Sequence, residues 1–282
     1  TTTKVSFSID KMNYINNVAL SLDAVLGIDL KNSKYTFKEN KAKINDLPLE
    51  FNGFIQLISA GQLFDLRFKT PTSSFKNFLG LIPATYRSSI ENVKTSGEFT
   101  VTGFAKGLKS DTSIPKFNIA IASNNASFQY PDLPKSVKNI VIDTKIINET
   151  GLVNDTYINL DQLSFSIDQD VFSTKANIKN IATNALIDAS LKGTINLGNL
   201  SKAYPIQLDK PLSGILKADV TTKFDMASVE KSQYQNINNA GNLSLTGFKY
   251  TDENGKSMNI NSAKIQFNPS RVNLQEFKAT TG

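Results

Sequence analysis

The sequence predicts a mostly β protein whose strands are apolar on one side only. Two patterns lead to that class. Apolar residues recur at every second position through much of the chain, and stretches with helical spacing are short and rare. The residue types agree, because Phe, Tyr, Val and Ile recur throughout and are strand formers. With 282 residues, 40% of them apolar and 20% charged, the chain is long enough to bury a substantial core.

The first strand-like run is Lys4-Val5-Ser6-Phe7-Ser8-Ile9-Asp10. From Asn17 to Leu30, residues Val18, Leu20, Leu22, Ala24, Leu26, Ile28 and Leu30 share one face. Ala19, Ser21, Asp23, Val25, Gly27 and Asp29 fall on the other. A period of two marks a strand with one apolar side. Taken as a single strand, this run extends roughly 40 Å, which is long for a globular protein. Shorter runs follow at Phe64/Leu66/Phe68, Phe99/Val101, Phe117/Ile119/Ile121, Leu163/Phe165/Ile167, Ala189/Leu191, Ala218/Val220/Thr222/Phe224 and Leu243/Leu245. Turn signals separate many of them: Ser-Gly at 96–97 and 213–214, Asn-Glu-Thr-Gly at 148–151, and Asp-Glu-Asn-Gly at 252–255.

Helical spacing is found in a few segments. Between Pro71 and Pro83 a Ser/Thr N-cap precedes Phe75, Phe78, Leu79 and Ile82. Leu197 to Ala203 is a second, shorter match that ends before Pro205. Met226 to Gln235 reads as a polar helix and Leu133 to Val137 as one turn. These pieces are too small to cover the apolar side of so much sheet. Either two sheets cover one another in a sandwich or barrel, or one long sheet curls and leaves its apolar face lining a groove.

An approximate internal repeat runs through the chain. Asp65-Leu-Arg-Phe-Lys, a short helix and Pro83 recur as Asp188-Ala-Ser-Leu-Lys, a short helix and Pro205. Ser96-Gly97 recurs as Ser213-Gly214, Phe128-Gln-Tyr130 as Phe248-Lys-Tyr250, and Asn139-Ile140 as Asn259-Ile260. The expectation is one continuous unit over 1–282, with copies at approximately 47–165 and 168–282. Such repeats lengthen a sheet rather than make separate domains.

Composition removes much chemistry. The chain has no His, Cys or Trp, so Ser-His-Asp and Cys-His nucleophiles, thiol redox centres and the usual zinc sites are excluded. No catalytic, metal or cofactor site is expected. The net charge is +6, but the lysines are scattered singly, as on a solvated surface with protected sheet edges. A nucleic-acid footprint would gather them on one face. No stretch approaches about 18 apolar residues, so no membrane-spanning helix is expected. The chain starts inside a strand-like run and stops at Thr280-Thr281-Gly282, which reads as a piece of something longer.

Smaller motifs take ordinary readings. Asp168-Gln-Asp170 is a turn, since a cation site needs more oxygen ligands. Gly103-Phe-Ala-Lys-Gly107 lacks the Gly-Lys-Ser/Thr ending of a phosphate loop. Phe75, Phe78 and Leu79 are expected to pack onto the sheet edge, the alternative being that they plug or cap a groove.

Three segments carry a family resemblance. Residues 114–142, with Phe128-Gln-Tyr-Pro-Asp-Leu-Pro134 inside them, resemble the C-terminal region of AsmA-like envelope proteins of the Bacteroidetes type. So do Leu47-Pro-Leu-Glu-Phe-Asn-Gly-Phe-Ile55 and the run from Phe68 to Pro83. The likeness extends from about residue 30 to 280 and its motifs are structural. The resemblance implies a kinship with TamB and bridge-like lipid-transfer proteins. It also implies a long, twisted, curled antiparallel sheet forming a hydrophobic groove, with a few short rim helices. By the same resemblance the protein is non-enzymatic and periplasmic, part of an inner-membrane-anchored protein whose anchor is not in this chain. It would carry phospholipid between the inner and outer membranes as a monomer.

A groove for acyl chains is physically reasonable, because exposing them to water costs about 0.8 kcal/mol per CH₂. The expected lining is Val18, Leu20, Leu22, Leu26, Ile28, Phe64, Leu66, Phe68, Phe99, Val101, Phe117, Ile119, Ile121, Leu191, Val220, Phe224, Leu243 and Leu245. The alternatives are a structural or adhesive β-sandwich repeat of the cell envelope, and an enzyme or glycan-binding module using surface carboxylates and tyrosines.

Overall fold

The computed structural model describes residues 2–9, 12–45, 47–71, 73–79, 92–205, 212–251, 256–268 and 271–281, with side chains from residue 19 onward. Among these residues, eighteen strand segments form one sheet. They are β1 (Thr2–Ile9), β2 (Met12–Asp23), β3 (Leu26–Asp29), β4 (Lys34–Ile44), β5 (Leu47–Ile58), β6 (Gly61–Lys69), β7 (Ser73–Ser74), β8 (Lys94–Ser96) and β9 (Glu98–Lys109). The second half holds β10 (Lys116–Gln129), β11 (Val137–Asn148), β12 (Tyr157–Ile167), β13 (Asp170–Lys179), β14 (Leu186–Asn196), β15 (Ser213–Asp225), β16 (Asn238–Thr251), β17 (Ser257–Asn268) and β18 (Arg271–Thr281).

Every pairing is antiparallel and the sheet follows chain order from β1 to β18. Three rungs are each shared by two segments. β2 and β3 both pair with β4, β6 and β7 both with β9, and β8 and β9 both with β10. Eighteen segments therefore make fifteen rungs. Among the described residues β1 pairs with β2 and β18 with β17, so the sheet is open and not a barrel.

Two departures from simple alternation have local causes. The run from Asn17 to Leu30 is not one strand. The β4–β5 register shifts between Phe37 and Asn40, and this bulge leaves the facing strand broken between β2 and β3. Asn40 closes the gap: its side-chain oxygen accepts the Val25 N–H, and its amide donates to the Lys38 carbonyl (3.2 Å). Leu30 lies beyond β3 in a turn and is 81% exposed. The Ser-Gly pairs are not turns either. Gly97 interrupts the β8–β9 rung at φ 83°, and Ser213-Gly214 opens β15. A Cβ on Gly97 would stand 2.7 Å from the Ala126 Cα, so the close approach there demands glycine.

Among the described residues, three short helices accompany the sheet: α1 (Phe75–Leu79), α2 (Leu197–Ala203) and α3 (Met226–Glu230). Asn196 caps α2 by accepting from the Gly198 N–H (3.0 Å). Asp225 caps α3 through the Ser228 N–H (3.0 Å). α3 is shorter than its polar pattern foretold, because Ser232 takes a left-handed conformation (φ 55°) just after it. The expected turn of helix at Leu133–Val137 is absent. Pro131 and Pro134 supply no N–H donors there, and a Tyr130–Leu133 turn leads straight into β11. Ile82, the turn signal at 252–255 and Pro83 lie outside the described residues.

The fully buried cluster is local. Phe75 and Leu79 of α1 and Ala203 of α2 pack with Phe99, Val101, Ile140, Ile142 and Ile167 on β9, β11 and β12, beside Tyr130 and Val137. The Phe78 ring meets Phe75 and Phe99 at 5.2 and 5.4 Å between centroids. Away from this cluster most of the sheet has only one layer. The accessible surface is 17259 Å², against about 12,000 Å² for a compact globule of this mass.

Candidate functional site

Residues opposite one another on neighbouring antiparallel strands project to the same side, so register alone traces which side chains share a face. One row runs Phe51, Phe68, Gly103, Ile119, Ile146, Ile158, Ile178, Ile187 and Phe224, one residue from each of nine successive rungs. At ordinary strand spacing this row is about 38 Å long. A second begins at Phe99 and Ser123, passes Ile142, Leu163, Thr174, Leu191, Val220 and Gly241, and ends at Phe267 and Val272. Further rows link Phe165, Phe172, Gly193, Ala218, Leu243, Ile265 and Leu274, and Ile195, Leu216, Leu245, Ala263 and Phe277. Toward the other end, Leu26 faces Phe37 and Ile28 faces Tyr35. These lead through Gly53 and Ile55 to Leu66 and Phe64.

Seventeen of the eighteen residues expected to line an apolar surface fall on this one face. Val101 and Ile121 are opposite each other, as are Phe117 and Ala105. Leu20 faces Ile44 and Leu22 faces Ala42. Val18 pairs with Val5 through the backbone, and its side chain lies outside the described residues. The remaining seventeen differ in exposure. Phe99, Val101 and Val220 are buried, Leu22, Leu26 and Ile28 are exposed, and the other eleven are half-buried. The face is thus packed under α1 and α2, half open along the middle, and bare near both ends. Ile28 is 58% exposed at one end and Leu274 59% at the other.

Several members of the face escaped the sequence reading. Ile158 and Leu160 sit on it together with Leu163 only because the β11–β12 and β12–β13 registers shift around residues 161–162. Phe51 and Ile55 alternate with Leu47 and Leu49, but the polar-side Phe54 and the intervening Gly53 blurred that pattern.

The opposite face is polar and its charges pair across the ladder. Asp65 meets Lys106 at 3.4 Å, Lys192 meets Asp219 at 3.1 Å, Asp188 meets Lys223 at 3.6 Å, and Lys264 meets Glu276 at 2.8 Å. Hydrogen bonds from Lys264, Ser262 and Lys278 hold the Glu276 carboxyl down at about 2. Asp168 lies in the β12–β13 turn with Lys135 as its ion partner, and Asp170 accepts from the Asn196 N–H (3.0 Å). Among the described residues, no cluster of three or more Asp or Glu is placed to hold a metal ion. No described helix is long and apolar enough to cross a membrane.

Fold and surface together define an open, single-layer β-sheet protein with one apolar and one charged face. No family model, curated protein or solved structure matches the chain.

Proposed function

We propose that this chain is a non-enzymatic lipid-conduit segment that holds the acyl chains of a phospholipid against its apolar face. The observation that carries the reading is the continuity of the face: predominantly apolar rows cross up to ten rungs, and most of their side chains remain half-open to solvent. An acyl chain laid on such a surface leaves water at about 0.8 kcal/mol per CH₂, and the polar face with its ion pairs keeps the other side wet. Passage along the sheet needs no reactive group, which fits a chain without His or Cys. The resemblance to AsmA-like proteins adds the setting. The segment would belong to an inner-membrane-anchored periplasmic protein, act in phospholipid traffic to the outer membrane, and bind neither cofactor nor nucleic acid. The approximate repeat, with a short helix after β6 and another after β14, would then be the unit by which the surface is lengthened. A sandwich would need a second sheet over the apolar face, whereas the described residues form one sheet.

Native mass spectrometry tests the reading on protein purified without detergent from a Gram-negative host. Co-purified phospholipid is expected, and its absence across several preparations would overturn the proposal. Photo-crosslinkers at Leu20, Leu22 and Leu26 should capture lipid, while those at Ser21 and Asp23 should not.

A further inference from the structure

The polar face carries one feature that the lipid reading does not use. Phe104 projects from β9 on this side and is 42% exposed, with no part in the buried cluster. Arg67 of β6 lies directly opposite it and Asn118 of β10 directly opposite on the other flank. Among the described residues the Arg67 guanidinium makes no ion pair or hydrogen bond. Its neighbours differ: Lys106 is held by Asp65 (3.4 Å) and Lys145 by Asp161 (3.2 Å). The small side chain of Ala120 leaves the floor between them low, and a shallow depression of about 620 Å³ results.

We propose that this depression binds a saccharide bearing an oxyanion, with the sugar ring on Phe104 and the carboxylate or phosphate on Arg67. A single exposed ring suits a sugar, whose C–H face is apolar while its rim carries hydroxyls. The Asn118 amide and the two lysines stand where such hydroxyls would need partners. The unpaired guanidinium presents a fork that matches a carboxylate or phosphate and is not already neutralised. A purely neutral sugar would leave that charge unused. An isolated inorganic anion would leave the ring unused. The site is on the opposite face from the lipid surface, so the two functions can be tested apart.

Isothermal titration of the whole chain with tetragalacturonate, glucose 1-phosphate and neutral maltotetraose tests the proposal. Binding of either acidic ligand in the range of about 0.1–1 mM is expected, with maltotetraose at least about tenfold weaker. Whichever acidic sugar binds identifies the oxyanion. R67Q, F104A and F104L should each weaken that ligand by about tenfold, F104L keeping the apolar bulk in case F104A perturbs folding. The lipid-face variant L22K should bind as the parent does. No heat with either acidic ligand up to about 10 mM overturns the proposal. Affinity that survives both Phe104 variants, or inorganic phosphate binding as tightly as the sugars, also overturns it.

Discussion

Asn40 illustrates how a single polar residue can be required on an apolar face. It is 2% exposed, lies in the row ahead of Phe51, and its two side-chain groups satisfy Val25 and Lys38 where the ladder breaks. N40L would add apolar area and strand the Val25 N–H. A buried orphan donor costs about 1–3 kcal/mol, so urea unfolding should show the variant less stable by that amount. Unchanged stability would mean that the break has another source of closure. Gly193 poses the complementary case. Its φ is 148°, and a Cβ there would stand 2.2 Å from the Val171 carbonyl oxygen. G193A is expected to cost about 1–3 kcal/mol through backbone displacement. Gly27, where an added Cβ meets only ordinary contacts at 3.6 and 3.8 Å, should accept Ala within about 0.5 kcal/mol. Equal effects at the two glycines would remove the steric explanation.

Elements differ in how they are held. α1 and the strands beneath it form the closed part of the face, where Phe99 is 1% exposed and meets Phe78. F99A should therefore cost about 3–5 kcal/mol, whereas half-buried Leu243 truncated to Ala should cost about half as much by denaturant unfolding. A uniform cost would describe a filled core instead. Among the described residues β18 pairs only with β17, its polar side tied there by Glu276, Lys264 and Ser262. Because the Glu276 carboxyl is depressed from 4.5 to about 2, its contribution is fully present above the unfolded value. It is lost as pH falls from 4.5 toward 2. Amide exchange in β18, corrected for intrinsic rate, should accelerate between those pH values in the parent and much less in E276Q. Equal pH dependence in the two proteins would refute that role. Alternation made the strands and their shared face legible, and the segment from Leu197 to Ala203 was legible as a helix through its spacing and the following Pro205. Bulges were not legible. The shifts at residues 38–39 and 161–162 change which parity points inward, and nothing in Lys38-Glu39 or Asp161-Gln162 announces the extra residue. Gly97 and Gly214 read as turn glycines for a related reason: the same freedom that closes a turn also kinks a strand.

At the largest scale, the fifteen described rungs at about 4.8 Å span about 67 Å along the sheet, while strands of eleven or twelve residues such as β11 and β12 set its width. That shape explains why so many apolar side chains are half-exposed: among the described residues, one layer and three short helices leave little to cover them. It also explains why the core cluster is confined to the strands under α1 and α2. The arrangement is costly unless something occupies the face, since contiguous apolar patches of this extent mark a binding surface. Small-angle scattering of the monomer provides the decisive measurement. A compact domain of this length has a radius of gyration of about 19 Å, whereas an open sheet of these dimensions gives a larger value, up to about 23 Å where it is uncurled. The larger value is expected, and it should change little on delipidation, because backbone pairing rather than lipid sets the length. A value near that of the compact domain would mean that the sheet closes its apolar face onto itself, leaving no surface for an acyl chain.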